Sequence, residues 1–344
     1  MAVISLYLVI FSLSLGQLGK IFTLGSGNIY VSDFIVFTFS LTYLSKLVNL
    51  KYNFKVNKQV FLLFLFIVVA FTSLIFSLRL YRFELLYVGF AYLIRFILYV
   101  VGSYIFYNLF LEKKIKFEDL KNALTYSAVF LAITGAVQLV ILPDFSVLDS
   151  SLGWDPHKNR MASTFFDPNF LASYFVISLA LLIDGFCKKN FFKSDYIYFV
   201  VILVSLVLTF SRSGWGMFAL FLFTYFWFKD KKIIFISLIL MFLTYFAIPR
   251  IQTRVSGITD PADSAALRVV SWSNALKIYR DTPLLGVGFN NYRIAQKEFG
   301  FLDVTNENTH SGGGSDSSLL FVLATTGAVG FFVYSGIFVT SILD

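Results

Sequence analysis

The chain has 344 residues, 58% hydrophobic and 14% charged, with 28 Lys and Arg against 20 Asp and Glu. Soluble domains keep charged residues near a quarter of the total, so this composition excludes one and marks a polytopic membrane protein. The net charge of +8 is scattered through loops rather than gathered on one face, which argues against nucleic-acid binding.

Apolar runs long enough to cross a bilayer of about 30 Å as helices recur along the chain. They fall at 2–18, 29–50, 60–78, 85–111, 120–142, 168–186, 195–211, 214–228, 232–248 and 317–342. The expectation is an all-α polytopic membrane protein, one integral membrane domain over 1–344 with about ten transmembrane helices. The first run lacks a basic leader and a small-residue cleavage site, so it reads as a retained helix.

Lysine accumulates on the cytoplasmic side of membrane proteins. The loops carrying Lys51, Lys55 and Lys58, then Lys113, Lys114 and Lys116, then Lys188, Lys189 and Lys193, then Lys229, Lys231 and Lys232 alternate along the chain and are assigned inside. Both termini are then cytoplasmic, and the long 249–316 segment is an external loop. The outer segments carry arginine instead: Arg79, Arg82, Arg160, Arg212, Arg250, Arg254, Arg268, Arg280 and Arg293. A planar guanidinium grips phosphate or carboxylate with two parallel bonds where lysine offers a point charge. The plainer alternative is contact with lipid headgroups, and it is the one expected for Arg250 and Arg254. Arg95, inside the fourth run, either faces the bundle interior or snorkels to an interface.

Asp167-Pro168 reads as an N-cap followed by proline at the first helical position. Ser211-Arg212-Ser213-Gly214 forms a tight junction between two runs, which puts Arg212 at a membrane surface. In the external loop, Ala265, Val269, Trp272, Leu276 and Tyr279 recur at three and four residues, the stripe of an amphipathic helix with Arg268 on its polar side. Asp281-Thr282-Pro283 ends it. Gly286-Val287-Gly288 lacks the strand and spacing of a dinucleotide loop and reads as a turn. The single Cys187 cannot pair within the chain, and two histidines, His157 and His310, give no metal-ligand spacing, so no metal and no cofactor is expected.

Three stretches together resemble the O-antigen ligase and polymerase superfamily of membrane glycosyltransferases. They are Leu208-Thr209-Phe210-Ser211-Arg212-Ser213-Gly214-Trp215, Arg268 and Trp272 with Pro283-Leu284-Leu285-Gly286-Val287-Gly288-Phe289-Asn290-Asn291-Tyr292, and Ala324-Thr325-Thr326-Gly327-Ala328-Val329-Gly330. The resemblance covers the chain from about Thr164 onward. It implies a GT-C-like fold and transfer of a glycan from a polyprenyl diphosphate to an acceptor glycan or glycolipid hydroxyl. The partners it implies are that lipid-linked glycan, the acceptor and membrane lipids, at the external face of the cytoplasmic membrane.

With that chemistry, Arg212 and Arg268 are the expected substrate-binding residues, and Asp316 and His310 the catalytic ones. Family ligases place a histidine eleven residues before the glycine matching Gly327 and a glutamate two residues before it; this chain has Asp316 and Thr325 there. That departure leans the expectation towards a polymerase or another surface-glycan transferase. The family continues through further helices beyond the position of Asp344, so the sequence is expected to be truncated. The rival readings are a flippase for lipid-linked oligosaccharide and a metal-dependent hydrolase built on Asp303, Glu307, His310 and Asp316. A purely structural role for Asp316 would be to cap the last helix.

Overall fold

The computed structural model describes residues 1–24, 27–49, 57–148, 157–256, 264–302 and 313–343. Its α-helices are α1 (Ala2–Ser14), α2 (Val31–Asn49), α3 (Lys58–Ser77), α4 (Phe83–Leu111), α5 (Phe117–Ile141), α6 (Pro168–Cys187), α7 (Lys193–Leu208), α8 (Arg212–Phe226), α9 (Lys231–Ala247), α10 (Pro249–Ser256), α11 (Ser264–Asp281), α12 (Tyr292–Glu298) and α13 (Ser318–Leu343). One antiparallel hairpin, β1 (Lys20–Leu24) with β2 (Gly27–Tyr30), joins α1 to α2 and was not anticipated. The protein is therefore all-α in class, and a helix stands at each of the ten apolar runs.

Several helices begin where the sequence supplies a cap. Asn57 accepts from Val60 N at 2.8 Å, Asp167 from Asn169 N at 2.7 Å and Phe170 N at 3.2 Å, and Asp230 from Lys232 N at 3.0 Å. By length and apolarity α3, α4, α5, α6 and α13 are each able to cross a membrane. Helices α7, α8 and α9 have 16, 15 and 17 residues. At 1.5 Å per residue they reach about 22 to 26 Å, somewhat less than the hydrocarbon thickness.

The helices gather into two compact units. The first comprises Met1–Gly19, Ile115–Val147 and Pro156–Asp263; the second comprises Lys20–Lys114, Leu148–Asp155 and Ser264–Asp344. In the first, α5, α6 and α7 pack around Leu131, Met161, Leu171, Phe175, Leu179 and Ile202, all essentially inaccessible. Lys121 is buried there at 2% exposure, yet its ammonium is held by Glu118 at 2.6 Å, Asn190 O at 3.3 Å and Asp195 at 3.4 Å. A buried ammonium persists only with such partners.

In the second unit α3 packs on α4 and α13, and α11 packs on α13. Arg95 neither snorkels nor stays unpaired: Nη2 meets Asp33 Oδ2 at 2.8 Å and also donates to Asn28 O on β2. Asp33 further accepts from Tyr30 N at 3.0 Å and Tyr99 OH at 3.1 Å. The intramembrane cation thus ties the hairpin, α2 and α4 together.

Two expectations are corrected in this unit. The last span is not one continuous helix, because Gly327 takes φ 67° and ψ −170° and breaks α13. The backbone groups freed by the break pair with the Pro283–Gly288 strap. Val287 N donates to Ala324 O at 3.1 Å, Gly288 N to Thr325 O at 3.0 Å, and Ala328 N to Pro283 O at 2.8 Å. Ser73 Oγ on α3 closes the arrangement, donating to Leu285 O at 2.6 Å and Thr325 O at 2.8 Å. Broken helices survive in membranes only where such partners replace the lost ladder.

The second correction concerns α11. The helix is present, but the expected stripe is its exposed side: Val269, Trp272 and Leu276 are 60%, 41% and 40% accessible. Ala275 and Ile278, at 1% and 0%, form the packed line, which Arg268 and Ser271 extend at helical spacing. Helix contacts in a membrane protein favour small residues, whereas large apolar ones have lipid as an alternative partner. Periodicity alone does not distinguish the two.

Candidate functional site

A concentration of charge lies in the first unit, where the segment after α5 leads into the start of α6. From Arg160 to Phe165 this segment is buried, with the short 3-10 helix Ser163–Phe165 as its regular structure, so its polar backbone groups need specific partners. Gln138 Oε1 accepts from Ala162 N at 2.9 Å and Ser163 N at 3.3 Å, and Met161 N donates to Leu208 O at 3.0 Å. Upstream, Phe145 N donates to His157 O at 2.9 Å, and Asp144 binds Ser146 N and Oγ at 2.9 and 2.7 Å. Asn159, Ser163, Phe166 and Phe210 all take positive φ here, between 48° and 58°. Four non-glycine residues in that conformation are a local cost that the surroundings must enforce, and such costs collect at functional sites.

What this backbone presents is Arg160. It is 9% exposed, with Nε donating to Thr209 O at 3.0 Å and Nη2 to Asn169 Oδ1 at 3.2 Å. The same Asn169 oxygen accepts from Ser211 Oγ at 2.8 Å, and Ser211 Oγ caps α8 by accepting from Gly214 N at 3.2 Å. Arg212 therefore opens α8 beside Arg160, and its Nη1 donates to Arg254 O at 3.0 Å. Arg250 donates to Lys158 O and lies over the Phe210 ring, 4.5 Å from its centroid. Arg250 and Arg254, expected at headgroups, instead fold back on α10 into this cluster.

The electrostatics follow from the crowding. Burial, then the charge of Arg254, pulls Arg160 down to about 10; Arg250 and Arg212 act in the same direction, and Asp167 opposes them. His157 is held down at about 4, mainly by burial and then by Arg160, with Arg254 adding to it, so it is a neutral imidazole at physiological pH. Burial also lowers Arg250. Arginines at the first turns of α8 and α10 stand at the positive ends of the helix dipoles, an unfavourable place for a cation. Four guanidiniums offset by Asp167 give a surface suited to a multiply charged anion.

In the second unit the expected residues take separate stations. Arg268 is half-buried on α11. Asp316 is exposed, with φ 53°, just before α13. It is not the cap of that helix: Ser317 Oγ accepts from Leu320 N at 3.4 Å and Ser315 Oγ donates to Ser317 O at 2.8 Å. Near it the Tyr292 ring is fully buried against Phe321, and its hydroxyl has no hydrogen-bond partner among the described residues. Burial raises the Tyr292 phenol, and the Asp316 charge raises it further. Arg293 lies so near Gly313 that a Cβ on that glycine would stand 3.0 Å from Nη2. Thr325, where the family glutamate is expected, is 1% exposed and donates its hydroxyl to Phe321 O at 2.7 Å. His310, and with it Asp303 and Glu307 of the hydrolase alternative, lies outside the described residues. No group of three potential metal ligands occurs among the described residues.

The expected pair Arg212 and Arg268 is thus divided between the units, and what gathers around Arg212 is Arg160, Arg250, Arg254 and His157. The sequence singled out every one of these arginines as outward-facing. It held no signal that Arg160, some fifty residues before Arg212, would share its surroundings.

Several helices long and apolar enough to span a bilayer mark a multi-pass membrane protein, and the first unit carries a concentration of guanidiniums. Residues 197–335 match the family described as O-Antigen ligase, from α7 through the break in α13. The match covers less than half of the chain and supports its membership of the O-antigen ligase and polymerase superfamily, whose members are glycosyl-transferring membrane proteins. No curated protein was found to match it.

Proposed function

We propose that the protein transfers a glycan from a polyprenyl diphosphate to the hydroxyl of an acceptor glycan or glycolipid, at the outer face of the cytoplasmic membrane. The cluster of Arg160, Arg212, Arg250 and Arg254 carries this assignment, because its mutual repulsion is relieved best by a ligand with several negative charges. As the bond from the anomeric carbon to the diphosphate breaks, charge grows on the leaving group, and fixed guanidiniums stabilise it more in the transition state than before. The acceptor oxygen attacks from the opposite face with inversion, and its proton passes to Asp316 or His310. Arg268, in the external 249–316 loop, is retained as a further substrate-binding residue. The ten apolar helices all cross, with both termini inside.

Cells lacking the gene and complemented with the intact chain or with Arg160→Lys, Arg212→Lys or Asp316→Asn test this through mass analysis of their lipid-linked and surface glycans. Each substitution is expected to leave lipid-linked substrate accumulated on the outer face, with surface polymer reduced on the order of 100-fold, as when one oxyanion donor is removed. Accumulation on the inner face would make the protein a flippase and overturn the assignment. Single repeats left on the carrier identify a polymerase, and full-length polymer left there identifies a ligase.

A further inference from the structure

The side chain of His157 makes no polar bond that the fold needs, and no step assigned above uses it. Its main chain is nevertheless fixed. The His157 carbonyl accepts from Phe145 N at 2.9 Å, Asn159 N donates to Pro143 O at 2.5 Å, and Arg250 on α10 donates to Lys158 O. The ring lies against Phe145, with 6.2 Å between centroids, and Phe145 is 2% exposed. The imidazole is only half-buried, and neither ring nitrogen has a hydrogen-bond partner among the described residues. A neutral imidazole offers one N–H and one lone pair. Both are left for water or a ligand.

The groups around it are mostly cations. Lys158 and Arg160 share its segment, Arg212 opens α8, and Arg250 and Arg254 come from α10. Two carboxylates oppose them, and both have other partners. Asp144 meets Lys158 at 3.5 Å and holds Ser146, and Asp167 accepts from Asn169 N and Phe170 N at the start of α6. Burial, then the charge of Arg160, holds His157 down at about 4, with Asp167 opposing and Arg254 adding to the effect. The repulsive part of that cause is relieved when an anion covers the guanidiniums, and the anion's own charge favours the imidazolium.

We propose that His157 is a further ligand of the diphosphate, neutral while the arginine site is empty and protonated from solvent when a diphosphate settles there. The proposal rests on the diphosphate assignment made above and adds a titrating group to it. A permanent cation beside the four guanidiniums would add to the repulsion in the empty site, whereas an imidazole gains its charge only once negative charge has arrived. The imidazolium then donates a charge-assisted hydrogen bond, the stronger kind, to a phosphoryl oxygen. One proton is taken up on binding and returned to solvent when the diphosphate leaves.

Carbon-13 resonances of histidine Cε1 in the full chain in detergent read this protonation, and a His310→Gln chain leaves His157 as the source of the signal. Without ligand, His157 is expected to stay neutral from about pH 8 down to about pH 5.5. With saturating inorganic diphosphate it is expected to titrate inside that range, with a midpoint near the ordinary ~6.5 or above. Linkage then makes binding depend on pH. By calorimetry, His157→Gln is expected to bind inorganic diphosphate about tenfold more weakly than the parent at about pH 5.5 and equally at about pH 8. The ligand's own ionisation is common to both chains and cancels in that ratio. A His157 ring that stays neutral down to about pH 5.5 with diphosphate bound would overturn the proposal. So would a loss in His157→Gln of the same size at both pH values, or none at either. In all three cases diphosphate still binds the parent, so the arginine assignment stands and His157 alone is removed. If inorganic diphosphate does not bind the parent, the arginine assignment itself fails and takes this proposal with it.

Discussion

Gly327→Ala is the substitution whose cost is best defined by the geometry. At φ 67° and ψ −170° the residue occupies a conformation that is essentially glycine's alone. Holding an alanine there costs about 1–3 kcal/mol. The added Cβ would also lie 2.2 Å from Leu284 O and 2.5 Å from Leu285 N, and those are backbone atoms that no rotamer change can move aside. Relieving the clash separates the strap from α13 and strains the bond from Ala328 N to Pro283 O, worth about 1 kcal/mol net. The sum is about 2–4 kcal/mol. At roughly 2 °C per kcal/mol for a long chain, the melting temperature should fall by about 4–8 °C. Gly216→Ala is the control, since it lies inside α8 with nothing within 4 Å of the added carbon; it should be neutral or stabilising by about 0.5 kcal/mol. Intrinsic fluorescence or a thiol-reactive dye read during heating in detergent would measure both. A Gly327→Ala protein melting within 1–2 °C of the parent would mean that the break in α13 and the strap are not as described.

Three further outcomes follow from the same contacts. His157, about 4 when folded against 6.5 when free, favours the folded state above pH 6.5; that contribution is lost as pH falls from 6.5 towards 4, because the unfolded chain takes up the proton first. Up to about 3 kcal/mol is involved, so His157→Gln should flatten the decline of melting temperature across that window, and an unchanged slope would remove His157 from the buried cluster. Asp33→Asn strands the Arg95 guanidinium and should cost about 3 kcal/mol, with Asp33→Asn/Arg95→Met recovering most of it; no recovery would mean the pair is not the source of the loss. Lys158→Cys in a Cys187→Ser background should react with a membrane-impermeant thiol reagent applied from outside, and labelling only after permeabilisation would invert the topology.

Much of the fold was legible because membrane helices write long signals. The ten apolar runs and the Asp167-Pro168 cap follow from hydropathy and local capping chemistry, and a helix stands at each run. What the sequence concealed depends on partners distant along the chain. The break at Gly327 needs Pro283 to Gly288 and Ser73 to satisfy it, and no local pattern announces that. The apolar stripe of α11 is legible in the sequence, but not that it is the helix's accessible side, with Arg268 on the line of buried Ala275 and Ile278. The arginines were visible as a class, yet Arg250 and Arg254 were set apart from Arg212 because sequence distance says nothing of α10 folding back. Asp316 was weighed as a helix cap, and Ser317 holds that position.

The central claim is that Arg160, Arg212, Arg250 and Arg254 together form a diphosphate site. Its most direct measurement is titration of inorganic diphosphate into the purified full chain at two salt concentrations, followed by calorimetry, for the parent and for Arg160→Lys, Arg212→Lys, Arg250→Lys and Arg280→Lys. Loss of a forked, charge-assisted contact is worth about 1.5–3 kcal/mol, so each of the first three should bind roughly 10- to 100-fold more weakly, the more so at high salt, while Arg280→Lys, exposed at the end of α11, binds as the parent does. Equal affinity across all four lysine variants would contradict the site.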